Sequence, residues 1–267
     1  MNDLLLAIKI IVSILFVLFL SFLAEKTGPK YAGIISGVPT GTAIILFFFG
    51  LEQGPVFAAE SSVFNLVGMV SMQVLLLLYY FFSLRLKKLE LVGSSVAAII
   101  GFTCVAFILK QFQFTLLLAA AVAIISIPIF SLIFRKVSDT KIKNRVKMSS
   151  FVFLFRAIVA AAIILAVTET ANLVGPQWAG LFSAFPTTLF PLILIVHYTY
   201  DKSHVHTIIK NVPKGQLAMV IYIISLFFTY PAYGVYLGTV ISYALVIIYL
   251  VIYFLLTKKL RNKQSQN

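Results

Sequence analysis

Two stretches of this chain carry the same unusual grouping of residues: "GPKYAGIISGVPTG" at 28–41 and "GPQWAGLFSAFPTT" at 175–188. Each sets a proline and neighbouring hydroxyls inside an otherwise apolar run. Pro39 and Pro186 lack an N–H, so a helix passing through them loses the hydrogen bond to the carbonyl four residues earlier, at Ile35 and Phe182. In hydrocarbon a freed carbonyl needs a partner. Ser36, Thr40 and Thr42 in the first stretch, and Ser183, Thr187 and Thr188 in the second, are hydroxyls placed to supply one, or to present the break to a polar solute. Pro39 and Pro186 each lie ten residues beyond the Gly-Pro start, roughly 15 Å along a helix, which is about half of a bilayer core. The same stretches hold Gly33-x-x-x-Gly37 and Gly180-x-x-x-Ala184, spacings that let two helices approach closely, so a packing role stands beside the pathway role.

Lys9 and Arg156 are the second constellation, each a turn or two inside an apolar run. Charges at such positions are costly and are often functional. They either snorkel to headgroups or face the bundle and attract an anion, for which Arg has a fitting geometry. Glu60, Asn65 and Gln73 are secondary candidates, polar groups able to face a cavity or to tie helices together. The histidines of "HYTYDKSHVH", His197, His204 and His206, read as a solvated connection, because no HExxH or carboxylate pair accompanies them. A metal site is not expected, nor a cofactor. GxSxG, P-loop and usable GxGxxG motifs are lacking, so enzyme activity is not expected either. Cys104 is the single cysteine, which excludes a disulfide within one chain.

The elements that must hold these groups follow from composition. Of 267 residues, 61% are hydrophobic and 11% charged, and the mean hydropathy is +1.05, far from a soluble domain. Apolar runs of about 20 residues predict membrane-spanning helices, and barrel-type alternation is lacking. Nine spans are expected, near 3–24, 29–50, 56–83, 91–109, 114–134, 149–168, 177–198, 213–230 and 233–256. The N-terminal run reads as a permanent helix rather than a signal peptide, since it is long and lacks a clear cleavage site. The fold class is therefore an all-α integral membrane protein.

The net charge of +13 is not gathered into a nucleic-acid-binding domain; it sorts by loop. With the N-terminus outside, eighteen of the twenty-one Lys and Arg residues fall in cytoplasmic segments, and Lys110 alone in an outside loop. The expected location is the plasma membrane, multi-pass, N-terminus outside and C-terminus cytoplasmic, with anionic lipid headgroups as partners.

The two quoted stretches align without gaps at a separation of 147 residues, which also brings Gly68 onto Gly215, Met72 onto Met219, Phe81 onto Phe228 and Lys9 onto Arg156. This predicts a duplication: a first four-helix repeat at 1–112, a linking helix and basic loop at 113–147, and a second four-helix repeat with a basic tail at 148–267. Because a single fifth helix joins them, the repeats are inverted, an arrangement typical of secondary transporters and found in some channels.

The Gly-Pro start, "WAGLFSAFPTT", the later basic loop and a Tyr-Pro turn resemble the GlpM-type group of small four-helix bacterial membrane proteins, most closely over 175–256. The resemblance implies a fused, inverted duplication of a unit that elsewhere pairs with itself, and it implies no substrate. Together these readings lead to a small secondary transporter or exporter of a small polar, anionic solute, working by alternating access around two crossed, proline-broken helices. A channel-like or lipid-handling protein, or a non-transporting membrane scaffold, is the alternative, and a homo-oligomer stays open.

Overall fold

The computed structural model describes residues 28–140 and 175–264, with scattered positions within 7–26 and 150–165. Among the described residues the secondary structure is helical, without a strand. The helices are α1 (Pro29–Ser36), α2 (Gly41–Glu52), α3 (Pro55–Arg85), α4 (Glu90–Lys110), α5 (Leu116–Ile133, extended by a short 3₁₀ turn, Phe134–Lys136), α6 (175–183), α7 (Leu189–Thr199), α8 (Lys202–Asn211) and α9 (Pro213–Gln264).

Their beginnings are written in the chain. α1 and α3 open with proline in the first turn, where its missing N–H costs nothing and its fixed φ suits a helix. Thr115 caps α5 by accepting from the Leu118 N–H, and Asp201 caps α8 by accepting from the Ser203 N–H. Between α1 and α2 the chain is non-helical at 37–40, and between α6 and α7 at 184–188, so both proline stretches do interrupt their helices.

α9 is not straight. Gly234 sits at φ 75°, ψ 173°, outside helical space, a conformation that only glycine adopts readily. The Thr229 and Ser242 hydroxyls then meet at 3.1 Å, and the Tyr230 and Thr239 hydroxyls at 2.7 Å. In a continuous helix thirteen residues span about 20 Å. The chain therefore reverses at Gly234, and the two arms of α9 lie side by side.

Five stretches are long and apolar enough to cross a membrane: Pro29–Glu52, Pro55–Arg85, Glu90–Lys110, Leu116–Lys136 and Pro213–Leu255. This all-helical architecture fits a multi-pass membrane protein. The count of nine spans is not reached among the described residues. Those expected at 3–24 and 149–168 lie outside them, 177–198 is divided into α6 and α7, and 213–230 and 233–256 are the two arms of α9. α2 and α3 form the centre, with Phe48, Phe49, Leu66, Met69 and Tyr79 all fully buried. α3 packs on α2, α4, α5 and α9, while α1 lies along α8. α4, α5 and the second arm of α9 turn isoleucines, leucines and valines outward, as helices facing lipid would.

Candidate functional site

The two breaks meet. Thr40 Oγ1 and Thr188 Oγ1 are 3.0 Å apart, and a Cβ built on Gly41 would overlap the Thr187 hydroxyl, so the Thr187 side chain lies against the Gly41 backbone. Thr42 Oγ1 donates to the Ser183 carbonyl at 3.2 Å. Asn65, on α3, donates through Nδ2 to Ser183 Oγ at 2.6 Å, and Ser183 Oγ donates onward to the Gly180 carbonyl at 2.7 Å. The Pro39 carbonyl accepts from the Tyr243 hydroxyl at 3.0 Å, and Gln73 Nε2 donates to Gln216 Oε1 at 2.9 Å. Thr40, Thr42, Asn65, Gln73, Ser183, Thr187 and Gln216 are all buried. Pro39 and Pro186 are buried, while Ser36 and Thr188 are half-buried.

The carbonyls expected to be stranded by the prolines are not. The Ile35 carbonyl accepts from the Val38 N–H at 3.1 Å, and the Phe182 carbonyl from the Phe185 N–H at 2.9 Å. Each helix tightens by one residue before its proline and so satisfies itself locally. The hydroxyls are released from that duty and make the contacts between the two breaks. Polar capacity is left over: Asn65 Oδ1, Gln73 Oε1, Thr187 Oγ1 and Gln216 Nε2 are buried and have no hydrogen-bond partner among the described residues. Such groups are costly unless something meets them.

The contacts recur at a spacing of 147 residues. A Cβ on Gly33 would overlap the Ile208 carbonyl and sit 3.0 Å from Asn211 Cβ; one on Gly180 would overlap the Ser61 carbonyl and sit 2.8 Å from Phe64 Cβ. A Cβ on Gly215 would overlap the Ile34 carbonyl, and one on Gly68 would sit 3.2 Å from the Leu181 carbonyl. Burial recurs too: Met72 and Met219 are buried, Phe81 and Phe228 exposed. α1 thus packs on α8 and the start of α9, and α6 packs on α3.

Lys9 and Arg156 lie outside the described residues. Glu60 is exposed although α3 does begin at Pro55, because its position on the helix turns it away from the bundle. Asn65 and Gln73 are drawn into the crossing.

The expectation for the histidines is overturned at two of three positions. His197 and His206 are buried, each only 8% exposed. His197 Nδ1 lies 2.7 Å from the Tyr79 hydroxyl and its Nε2 3.2 Å from Glu90 Oε1. Lys202 Nζ donates to Glu90 Oε2 at 2.9 Å and to the Ser83 carbonyl at 3.1 Å. His206 Nε2 is 2.8 Å from Ser83 Oγ, whose own proton goes to the Tyr80 carbonyl, so His206 donates through Nε2. Burial pushes the His206 imidazole down to about 4. For His206 the reason is the packing of α8 on the bundle: Val205, Ile208, Ile209 and Val212 are buried at helical spacing, and His206 sits on their flank; His197 follows buried Ile193 and Val196 on α7. That i, i+3, i+4, i+7 pattern was the available signal. Among the described residues no group of three or more His, Cys, Asp or Glu could hold a metal ion.

A third polar cluster closes the bundle beside α8. Lys210 Nζ donates to the Val137 carbonyl at 2.6 Å and pairs with Asp139 at 3.2 Å. Burial pushes the Asp139 carboxyl up, but its bonds from Lys210 and Asn211 outweigh this and hold it below the usual carboxylate range. Compared with family models, curated proteins and solved structures, the chain matches none.

Proposed function

We propose that the protein is a small secondary transporter or exporter of a small polar, anionic solute, working by alternating access around the two crossed, proline-broken helices. The observation that carries this reading is the meeting of the breaks at Thr40 and Thr188, beside buried polar atoms of Asn65 and Thr187 that nothing else among the described residues uses. Ser36, Thr40, Thr42, Ser183, Thr187 and Thr188, with the backbone around Pro39 and Pro186, would contact the solute. Lys9 and Arg156 would attract it, each from its own side.

The recurrence of contacts at 147 residues supports an inverted duplication of the kind found in such transporters, with the solute site at the repeat interface. It also suits the GlpM-type resemblance, a unit that elsewhere pairs with itself. Nine spans, an external N-terminus and a cytoplasmic C-terminus in the plasma membrane complete the reading, supported by the sorting of basic residues.

The test is flux beside stability. In proteoliposomes offered a panel of labelled inorganic and small organic anions, the parent chain should move at least one, and Pro186→Ala and Pro39→Ala should both lose that flux while melting at the same or a higher temperature. Full flux in both variants would leave the breaks with a packing role alone.

A further inference from the structure

Three amides are buried where packing alone does not call for them. Asn65, Gln73 and Gln216 are each 1% exposed or less, yet the positions 147 residues away hold Val212, Val220 and Met69, buried to the same degree and apolar. Equivalent places in the chain are thus filled by side chains that need no partner. A buried amide costs free energy wherever its hydrogen bonds are incomplete, and these three are incomplete.

Gln73 on α3 and Gln216 on the first arm of α9 meet across the two halves. They share a single bond, Gln73 Nε2 to Gln216 Oε1 at 2.9 Å, which leaves Gln73 Oε1 and Gln216 Nε2 without a partner among the described residues. Turning both amides over exchanges their roles but not the remainder, because two primary amides joined by one bond keep one carbonyl oxygen and one amino nitrogen unused. Amide bond lengths hold those two free atoms no more than about 7 Å apart. Gln216 stands against the first break, since a Cβ on Gly37 would lie 3.1 Å from its backbone nitrogen. Asn65 reaches the edge of the second break through Ser183, and Thr187 lies within it. The free groups around the crossing are therefore two acceptors, Asn65 Oδ1 and Gln73 Oε1, one donor, Gln216 Nε2, and the Thr187 hydroxyl, which can do either. Among the described residues, none that is buried is a Lys, Arg, Asp or Glu.

These groups select a solute by its hydrogen bonds. Chloride or nitrate only accepts, and would leave the Gln73 and Asn65 oxygens unmet. A metal cation offers nothing to Gln216 Nε2. A dianion would bring a second charge to a centre without a described cation to meet it, whereas a single carboxylate can be met by N–H and O–H donors. A carboxylate with a hydroxyl on the neighbouring carbon complements both amides: the carboxylate accepts from Gln216 Nε2, and the hydroxyl donates to Gln73 Oε1 across the short gap. We propose that the Gln73–Gln216 pair is a recognition site for a small 2-hydroxymonocarboxylate, which names the class of anion that the protein moves and makes the two glutamines its specificity-determining residues. The inference rests on the transport reading for the movement of that anion, and on the amide pair for its chemistry. An anion without the hydroxyl leaves a buried carbonyl unmet, which weakens binding by about ten-fold.

The test compares ligands that differ by one hydroxyl. Purified protein in detergent is melted with rising concentrations of glycolate, acetate, lactate or propionate, and the concentration that gives a fixed rise in melting temperature is read for each. Glycolate and lactate should reach it at about one tenth of the concentration their deoxy counterparts need. Gln73→Met combined with Gln216→Met removes both amides and their unmet atoms together, so the double variant should melt at the same or a higher temperature without ligand and should lose the preference. The ligand comparison is made on the parent chain and stands whether or not the double variant folds. No stabilisation by any of the four, equal stabilisation by both members of each pair, or a preference kept by the double variant would overturn the inference and leave the amides to a buried water. Uptake of labelled glycolate and of the wider anion panel into proteoliposomes separates the two readings. A preference in the melts without uptake of any anion would keep the recognition site and remove transport, whereas uptake of nitrate or chloride by a chain indifferent to glycolate would keep transport and remove the site.

Discussion

Asn65 is the residue on which the crossing turns, because it reaches from α3 to the broken helix of the other half and still has an acceptor to spare. Interhelical hydrogen bonds in membranes are modest in strength, so Asn65→Ala should lower thermal stability by about 1 kcal/mol, measured on purified protein in detergent, while abolishing uptake of whichever anion the parent moves. A loss of stability without a loss of uptake would make Asn65 a packing residue. His206 has a different signature. Its folded imidazole is held at about 4, below the roughly 6.5 of an unfolded histidine. Between those values the unfolded chain binds the extra proton and the folded chain does not, so stability is highest above pH 6.5 and falls as the pH drops toward 4. His206→Asn keeps a donor for Ser83, and a melting series across that window should show a shallower decline than the parent.

At the scale of elements, the molecule is built on two close approaches of helix to backbone. α1 lies on α8 at Gly33, and α6 on α3 at Gly180; in both places a methyl group would collide with a carbonyl oxygen. Overpacking of this kind costs about 1–3 kcal/mol. Gly33→Ala and Gly180→Ala should therefore destabilise by similar amounts in thermal melts under the proposed duplication, since each meets a carbonyl, of Ile208 and of Ser61, 147 residues apart. A clear inequality between them would count against the duplication. The breaks at 37–40 and 184–188 follow from the same approach: the helix segments stay regular where glycine permits contact, and the irregular backbone lies where the two halves exchange hydroxyl contacts.

For the whole molecule, the charge pattern has a direct consequence. In the proposed orientation, the turns carrying Lys87, Lys88 and Asp201 and the loop near Thr140 face the cytoplasm, and those near Gln53 and Gln111 the outside. Single cysteines at Lys88 and Gln111, labelled from outside intact cells with an impermeant maleimide, should give reaction at 111 and none at 88. The reverse pattern would invert the assigned orientation. The two ends differ: a Tyr79–His197–Glu90–Lys202 network ties α3, α4, α7 and α8 together at one, and at the other Gly50 packs against Tyr230 and Val235 beside the Tyr230–Thr239 and Thr229–Ser242 hydroxyl pairs.

What the amino-acid order determined by itself was whatever depends on local physics. Apolar runs that must satisfy their own backbone in lipid announced helices, and proline at positions 39 and 186 announced breaks, because neither needs a distant partner to act. The small residues at Gly33 and Gly180 were legible for the same reason, as a steric allowance. Tertiary structure alone decided how the breaks were satisfied and which polar groups were buried. The Ile35 and Phe182 carbonyls found partners within a tightened turn, which freed Thr42 and Thr188 to cross to the other half. His197 and His206, in a segment whose polar composition reads as solvated, were buried by the packing of α7 and α8 respectively, and only there do Tyr79 and Glu90 become neighbours of the first and Ser83 of the second. Burial of a polar side chain is set by what packs over it, and that is a property of the assembled bundle.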